Sequence, residues 1–254
     1  MTREAFGSTC TLEESGAVAI VAFAKAPSNT LDAELACDIA AVLAAVDQRS
    51  HLRATLLTAG GTHFCIGASF GEGEFDPDPI YQAALGIFSV RKPIVAAIQG
   101  AAIGGGLGLA LAADFRVAAV DAKLSANFVR LGIHPGFGLT TMLPRIVGSQ
   151  KAAMLCLTGR RVGGEEAAAL GLVDFVVPAP NLHARAFSLA AELAEGAPLA
   201  VEATRATLRA GLVDQIRRQL AIEVSEQRAL FNTRDFREGV LATQERRLGH
   251  WSRS

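Results

Sequence analysis

The chain has 254 residues, enough for one substantial hydrophobic core and close to the size at which chains divide into domains. Lysine and arginine together number 24 and aspartate and glutamate 25, so the formal net charge is -1. This balance excludes a broad positive field for nucleic acid or an anionic membrane surface, and an anionic ligand needs a local site.

The four cysteines predict neither a disulfide framework nor a metal site. Cys10, Cys37, Cys65 and Cys156 are far apart, without CxxC or Cys/His ligand spacing. The first 16 residues are polar and acidic, unlike the basic end and apolar run of a secretory signal. We therefore expect a cytoplasmic protein without a metal.

The first half of the chain predicts alternating strands and helices. A β-branched apolar run predicts a strand at residues 18–23, and helical spacing predicts a helix at 31–46 capped by Thr30. Further strands are expected at 54–58, 94–98 and 115–120, and further helices at 79–90 and 107–113. Repeated strand, turn and helix indicate parallel crossovers and an α/β fold.

The apolar stretch at residues 94–113 also has the length of a membrane helix. Gly100, Gly104 and Gly108 have the spacing of membrane-helix packing. Five glycines would weaken a single helix, and Lys92-Pro93 and Asp114 bracket the stretch. A strand, a glycine turn and a short buried helix fit better.

The second half is predicted to be mostly helical, apart from a short strand at residues 174–177. Its apolar stripes alternate with Arg and Glu, as in helices that pack on a core or on another subunit. The predicted helices lie at 139–147, 150–157, 164–169, 181–195, 198–211, 213–231 and 235–248.

Two glycine-containing turns, each after a predicted strand, carry the chemical information. The first glycine turn is residues 63–69 (HFCIGAS) and the second is residues 98–108 (IQGAAIGGGLG). Glycines let backbone N–H groups approach a ligand without an intervening side chain. If a helix begins at Gly104 to Gly106, the unpaired N–H groups of these residues and the positive end of the helix dipole would stabilise a negatively charged oxygen bound there.

Two other interpretations of the triple glycine exist. A close contact between helix and strand in a buried core also requires small residues. A dinucleotide-binding GxGxxG pattern needs glycine at position 109, which is Leu109, and no acidic residue ends a following strand about 20 residues on.

The two turns together resemble the crotonase (enoyl-CoA hydratase/isomerase) superfamily. Further family-like segments follow in the same order: KPIVAAIQG at 92–100, PRIVG at 144–148, LTG at 157–159, GLV at 171–173 and DFREG at 235–239. The resemblance implies a spiral of ββα units at 1–197, followed by a helical trimerisation region at 198–254. It also implies a homotrimer or a dimer of trimers.

The resemblance further implies an acyl-CoA substrate, with coenzyme A as part of that substrate and no separate cofactor. The backbone N–H groups of Ile66 and Gly105 should form the oxyanion hole. Binding residues along the CoA and acyl path are expected at Ala24, Lys25, Ala26, Gly67, Ala68, Ser69, Phe128 and Pro135.

The chain lacks the acidic catalytic residues that the resemblance leads us to expect. The two glutamates that serve as acid and base in hydratases are replaced by Gly108 and Phe128. An alternative carboxylate of some relatives falls near Pro135 or Gly136, again without an acid. Since a placed acid or base contributes roughly a hundred- to ten-thousandfold, a standard hydratase mechanism should be severely impaired.

An oxyanion hole beside an apolar wall favours loss of carbon dioxide, which generates the carbanion without an enzymic base. Residues 126–138 also resemble the corresponding region of decarboxylating relatives in polyketide β-branching. His134 is the candidate proton carrier, or alternatively hydrogen-bonds a loop carbonyl. His63 is expected to face solvent, and Tyr81 is expected to be a packing residue. The acidic residues between them are expected in a solvated loop that could supply a replacement base: Glu72, Glu74, Asp76 and Asp78.

Two functions follow. The first is an acyl-CoA enzyme of crotonase type, a lyase or isomerase, that stabilises an enolate or oxyanion; decarboxylation, isomerisation and hydrolysis are the candidate reactions. The second is a non-catalytic acyl-CoA-binding protein that has lost turnover, as the missing acids suggest.

Overall fold

The computed structural model describes residues 3–68 and 76–254. Within these two segments the chain forms two sheets with helices packed on them. Their strands are β1 (Arg3–Phe6), β2 (Cys10–Ser15), β3 (Val18–Phe23), β4 (Ala54–Ala59), β5 (Ile94–Ile98), β6 (Ala101–Ile103), β7 (Phe115–Ala119), β8 (Lys123–Ser125), β9 (Arg161–Gly163) and β10 (Phe175–Val177). The α/β fold predicted from the sequence is confirmed.

The helices follow the predicted order with ends shifted by a few residues. They are α1 (Ala33–Gln48), α2 (Asp78–Ser89), α3 (Gly105–Ala112), α4 (Leu139–Val147), α5 (Ser149–Thr158), α6 (Gly164–Leu170), α7 (Leu182–Glu195), α8 (Pro198–Leu208), α9 (Leu212–Phe231) and α10 (Arg234–Gln244). Asp32 caps α1 by accepting the Leu35 N–H at 3.0 Å, so the prediction of Thr30 as the cap is wrong.

The larger sheet places the glycine turns at one edge. Its strand order is β1-β2-β3-β4-β5-β7-β10, and the strands from β3 onward pair in parallel. The carboxyl ends of β3, β4 and β5 therefore meet, and the loops that follow them lie side by side. In parallel α/β sheets this edge is where ligands bind.

The first two strands were not predicted. In β2 only Cys10 and Leu12 are buried. The strand lies near the edge of the sheet, and its second half contains the acidic residues Glu13 and Glu14, so the sequence shows no sustained apolar alternation. The small sheet, ordered β6-β8-β9, was missed as well, since each of its strands has three residues. Such short runs carry little periodicity.

The C-terminal helices pack on the body of the chain. Leu212, Ile216 and Leu220 of α9 join the hydrophobic core, and α10 lies against the 3₁₀ helix Asn127–Leu131. Helix α8 contributes no buried side chain. In the part of the chain that is described, no helix has the length and apolar character needed to cross a bilayer.

Candidate active site

The first glycine turn is fixed against β6. Cys65 donates its N–H to the Ala101 carbonyl at 3.0 Å, and Ile103 donates to the Cys65 carbonyl at 3.0 Å. Phe64 and Cys65 are fully buried, which holds this turn at the sheet edge. Burial raises the pKa of the Cys65 thiol to about 12, so Cys65 remains a neutral packing residue.

The second glycine turn lies directly on the first. Gly104 has φ of 55°, a conformation that favours glycine, and it precedes the first residue of α3. A Cβ on Gly106 would lie 2.1 Å from the Cys65 carbonyl oxygen. Close contact therefore explains Gly106, and the contact brings the beginning of α3 next to Ile66.

Two backbone N–H groups are available where the turns meet. Ile66 and Gly105 line the same cavity, and a Cβ on Gly67 would lie 3.4 Å from the Gly105 nitrogen. Over the described segments, neither the Ile66 nor the Gly105 N–H donates to a protein acceptor. Helix α3 has its first internal bond from Gly108 to Gly104, so Gly105 presents an unpaired N–H at the positive end of the helix.

The main cavity, which these N–H groups line, has a volume of about 320 Å³. Gly67, Ala68 and Phe128, which were expected to bind substrate, also line it. The described residues of its wall include no charged side chain. Its polar side chains are those of Thr30, Tyr81, Asn127, Gln227, Thr243 and Gln244.

The two positions at which the resemblance leads us to expect glutamates, 108 and 128, have different surroundings. Phe128 is buried with 6% of its surface exposed, and it forms part of the cavity wall. Gly108 is also buried, and a Cβ there would lie 2.8 Å from Cβ of Phe137. Phe137 therefore occupies the space that a longer side chain at position 108 would need.

His134 and Pro135 lie elsewhere. Both line an outer depression with Cys156, Leu157 and Leu230, whereas Gly136 and Phe137 line the main cavity. The His134 Nδ1 is 2.7 Å from the Pro135 carbonyl oxygen, in agreement with the alternative of a loop hydrogen bond. The structure thus does not bring the expected proton carrier, or Pro135, to the main cavity, which this segment first lines at Gly136.

The segment of Ala24, Lys25 and Ala26 lies beside the first glycine turn but outside the lining of the main cavity. Asn29 joins the two segments by donating to the carbonyl oxygens of Gly60 and His63, each at 2.8 Å. Ala24 and Ala26 are exposed, and Lys25 forms ion pairs with Asp32 and Glu34 at the beginning of α1. Ser69, and likewise Glu72 and Glu74, lie outside the described residues.

Tyr81 and Gln227 form a pair in the cavity wall that sequence reasoning missed. The Tyr81 hydroxyl donates to Gln227 Oε1 at 2.8 Å, and Gln227 Nε2 donates to the His134 carbonyl oxygen at 2.9 Å. Burial raises the pKa of Tyr81 above its usual range, so the phenol is neutral. No local pattern in α9 marks Gln227, which reaches the site only through the packing of α9 on α2.

Glu223 lies one helical turn before Gln227 and is also buried. Its carboxylate accepts N–H groups from Gly138 at 2.8 Å and Thr140 at 3.1 Å, and thereby caps the beginning of α4. Burial raises the pKa of Glu223, while hydrogen bonds from Thr140 and Gly138 and the nearby His134 oppose the rise. Helix α9 thus holds both sides of the segment that carries Phe137.

Comparison with known proteins finds relatives along nearly the whole chain. The family model described as "Enoyl-CoA hydratase/isomerase" matches residues 13–254. A probable enoyl-CoA hydratase of Rhodobacter capsulatus is 37% identical over 235 residues, which cover 88% of this chain and 90% of that protein. A short-chain-enoyl-CoA hydratase of Clostridium acetobutylicum is 31% identical over 247 residues, which cover 93% of this chain and 94% of that protein.

A solved structure extends the similarity to three dimensions. The crystal structure of an enoyl-CoA hydratase/isomerase from Pseudoalteromonas atlantica superposes with a TM-score of 0.87 at 27% identity. The superposition covers 96% of this chain and 100% of the Pseudoalteromonas chain.

Proposed function

The chain belongs to the enoyl-CoA hydratase/isomerase family, and from this premise we propose that it stabilises the enolate or oxyanion of an acyl-CoA thioester with two backbone N–H groups. The donors are those of Ile66 and Gly105. The observation that carries the proposal is that both residues line one cavity and that neither N–H has a protein acceptor in the described segments. Loss of one such donor typically costs about 3 kcal/mol of transition-state stabilisation.

Within this chemistry, the chain is proposed to decarboxylate a thioester rather than to hydrate one. Hydration needs an acid and a base at the double bond, and the two family positions are Gly108 and Phe128. The described cavity wall has no carboxylate. Isomerisation and hydrolysis remain within the proposal as other reactions that pass through a stabilised oxyanion.

The proposed step balances without a cofactor. The bond between C2 and the substrate carboxylate breaks, and its electron pair moves into the thioester to give an enolate whose oxygen accepts the two N–H groups. Carbon dioxide leaves, and a water molecule delivers a proton to C2. Coenzyme A is part of the substrate, and no separate cofactor is proposed.

The proposal also includes a homotrimer or a dimer of trimers in the cytoplasm. Helix α8 buries no side chain in the single chain, which supports a contact with another copy. The four cysteines are free thiols, as is usual in a reducing compartment.

A panel of thioesters tests the reaction. The purified protein is incubated with methylmalonyl-CoA, crotonyl-CoA and 3-hydroxybutyryl-CoA, and products are identified by mass spectrometry. We expect propionyl-CoA from methylmalonyl-CoA and no hydration of crotonyl-CoA. Hydration without decarboxylation would refute the proposed reaction, and binding without any turnover would establish the alternative of a non-catalytic acyl-CoA-binding protein.

Two variants locate the proton transfer. His134→Ala should leave the rate unchanged, because the imidazole lies in the outer depression. The rate of the double variant Glu72→Gln/Glu74→Gln tests whether the acidic loop supplies a base. A loss of more than about tenfold in either variant would place that side chain in the reaction and contradict a base-free mechanism.

A further inference from the structure

Asn127 presents an uncommitted carboxamide to the main cavity. It is the first residue of the 3₁₀ helix Asn127–Leu131, is half-buried and lines the cavity. A Cβ on Gly104 would lie 3.3 Å from the Asn127 Oδ1 and 3.6 Å from the Phe128 ring. The amide therefore lies over Gly104, the residue that precedes the proposed donor Gly105.

Thr30 is likewise a half-buried polar side chain of the wall without a hydrogen-bond partner in the described segments, but this residue pairs with Gly67 and does not lie over Gly104. The remaining polar groups differ from Asn127. Tyr81 and Gln227 are hydrogen-bonded to each other. Thr243 and Gln244 are exposed to solvent at the C-terminal end of α10. The Asn127 side chain has no hydrogen-bond partner in the described segments, although it is half-buried beside the proposed oxyanion site. A polar group in this position is available to a substrate.

We propose that Asn127 binds the carboxylate of a malonyl-type thioester, in which that carboxylate is attached to C2. This inference rests on the proposed function and specifies its substrate class. With the thioester oxygen at the Gly105 N–H, the substituents on C2 come next to Gly104. There, the Asn127 Nδ2 donates a charge-assisted hydrogen bond to the carboxylate.

A neutral donor suits the departure of carbon dioxide. A lysine or arginine would stabilise the carboxylate before reaction and would oppose its conversion to a neutral molecule. The described cavity wall supplies no cation, and Phe128 provides an apolar surface beside the amide. Asn127 therefore orients the carboxylate while the surroundings keep it poorly solvated.

Substitution of Asn127 tests this assignment. Asn127→Ala removes the donor, and Asn127→Asp keeps the shape but places a negative charge against the carboxylate. Since a hydrogen bond to a charged group is worth roughly tenfold to a hundredfold in affinity, we expect Asn127→Ala to raise KM for methylmalonyl-CoA about tenfold, with kcat within about threefold. Asn127→Asp should raise KM further.

Butyryl-CoA, which has no carboxylate on C2, is the control ligand. Its Kd, measured by calorimetry, should change by less than about twofold in both variants. Asn181→Ala is the matched control, because this asparagine is exposed and lies outside the cavity lining; it should change neither KM nor Kd. Thermal melts establish that each variant is folded.

The outcomes separate this inference from the proposed function. If wild type converts methylmalonyl-CoA and both variants behave like wild type, Asn127 is not the carboxylate-binding residue. Equal weakening of methylmalonyl-CoA and butyryl-CoA also overturns the assignment, because it indicates a packing role. If wild type converts no thioester, the proposed reaction fails, and the Kd of methylmalonyl-CoA in the same variants still decides whether Asn127 recognises a carboxylate.

Discussion

Gly106 shows how a single residue determines the distance between the two glycine turns. A Cβ there would lie 2.1 Å from a backbone carbonyl of the first turn, and neither backbone segment can rotate away as a side chain would. At Gly105 the nearest atom to an added Cβ is the Leu31 Cδ2, the far end of a flexible side chain, at 2.7 Å. A side chain at position 105 can therefore be accommodated by a small shift of Leu31, whereas a side chain at position 106 would meet fixed backbone atoms.

We expect Gly106→Ala to destabilise the protein by about 1–3 kcal/mol, the usual effect of overpacking. Gly105→Ala should change stability by less than about 1 kcal/mol, because alanine favours the helix and offsets a small shift of Leu31. Urea denaturation of the two variants measures the difference. Equal stabilities would show that the turns are not in the tight contact described here.

Phe137 determines whether the family glutamates can be restored. Phe128→Glu should place a carboxylate in the main cavity, but Gly108→Glu would meet the Phe137 side chain. Phe137 has φ of 60°, which glycine adopts readily, so Phe137→Gly should remove the obstacle and suit the backbone.

The double variant Gly108→Glu/Phe128→Glu should therefore hydrate crotonyl-CoA poorly. Addition of Phe137→Gly should raise that rate by at least about tenfold, since a correctly placed acid or base contributes roughly a hundredfold or more. The loss of crotonyl-CoA absorbance measures hydration. A folded triple variant that binds crotonyl-CoA without any gain would show that positions 108 and 128 do not face the double bond.

At the scale of elements, α9 connects α2 with the segment that carries Phe137. Tyr81→Phe should leave the Gln227 Oε1 buried without its donor and reduce the free energy of unfolding by about 1–3 kcal/mol. In a double-mutant cycle with Gln227→Leu, the two losses should not add. Additive losses would show that the hydrogen bond contributes nothing to the association of α2 and α9.

Glu223 makes the attachment of α9 dependent on pH. Burial raises its folded-state pKa above the unfolded value, so the stabilisation it provides is present below the unfolded pKa and is lost as the pH rises through the folded pKa. Its charge interacts with the neighbouring side chains of His134, Tyr81 and Cys156, which must therefore be intact in the comparison.

We expect the Tm of wild type relative to Glu223→Gln to be higher at about pH 5 than at about pH 8. Differential scanning fluorimetry across this range provides the measurement. A difference in Tm that is constant with pH would mean that Glu223 does not titrate with a raised pKa.

At the scale of the whole molecule, α8 is the feature that a single chain leaves unexplained. Leu199 and Leu208 are 80% and 71% exposed, although both are large apolar side chains. We expect light scattering to give the mass of three or six chains, and Leu199→Glu/Leu208→Glu to lower it. A monomeric wild type would contradict the proposed assembly, and an unchanged mass in the variant would exclude α8 from the contact.

The sequence by itself determined the order of the helices, the order of the longer parallel strands and β10, and the location of the glycine turns; β1, β2 and the small sheet were missed. These features are local, because apolar periodicity over a few residues and runs of glycine directly follow the geometry of the backbone. The assignment of Ile66 and Gly105 as donors came from the resemblance of these turns to the crotonase superfamily. The α/β fold followed from the alternation of strand and helix.

Only the tertiary structure decided which side chains surround the cavity. Asn127 and Phe137 reach it from the segment that follows β8, and Gln227 reaches it from α9, far along the chain; the same packing leaves His134 in the outer depression. No periodicity records such contacts, because they arise when α9, the 134–140 segment and the two glycine turns pack together. Long-range packing therefore determines the chemistry of the wall, while local geometry determines the backbone donors within it.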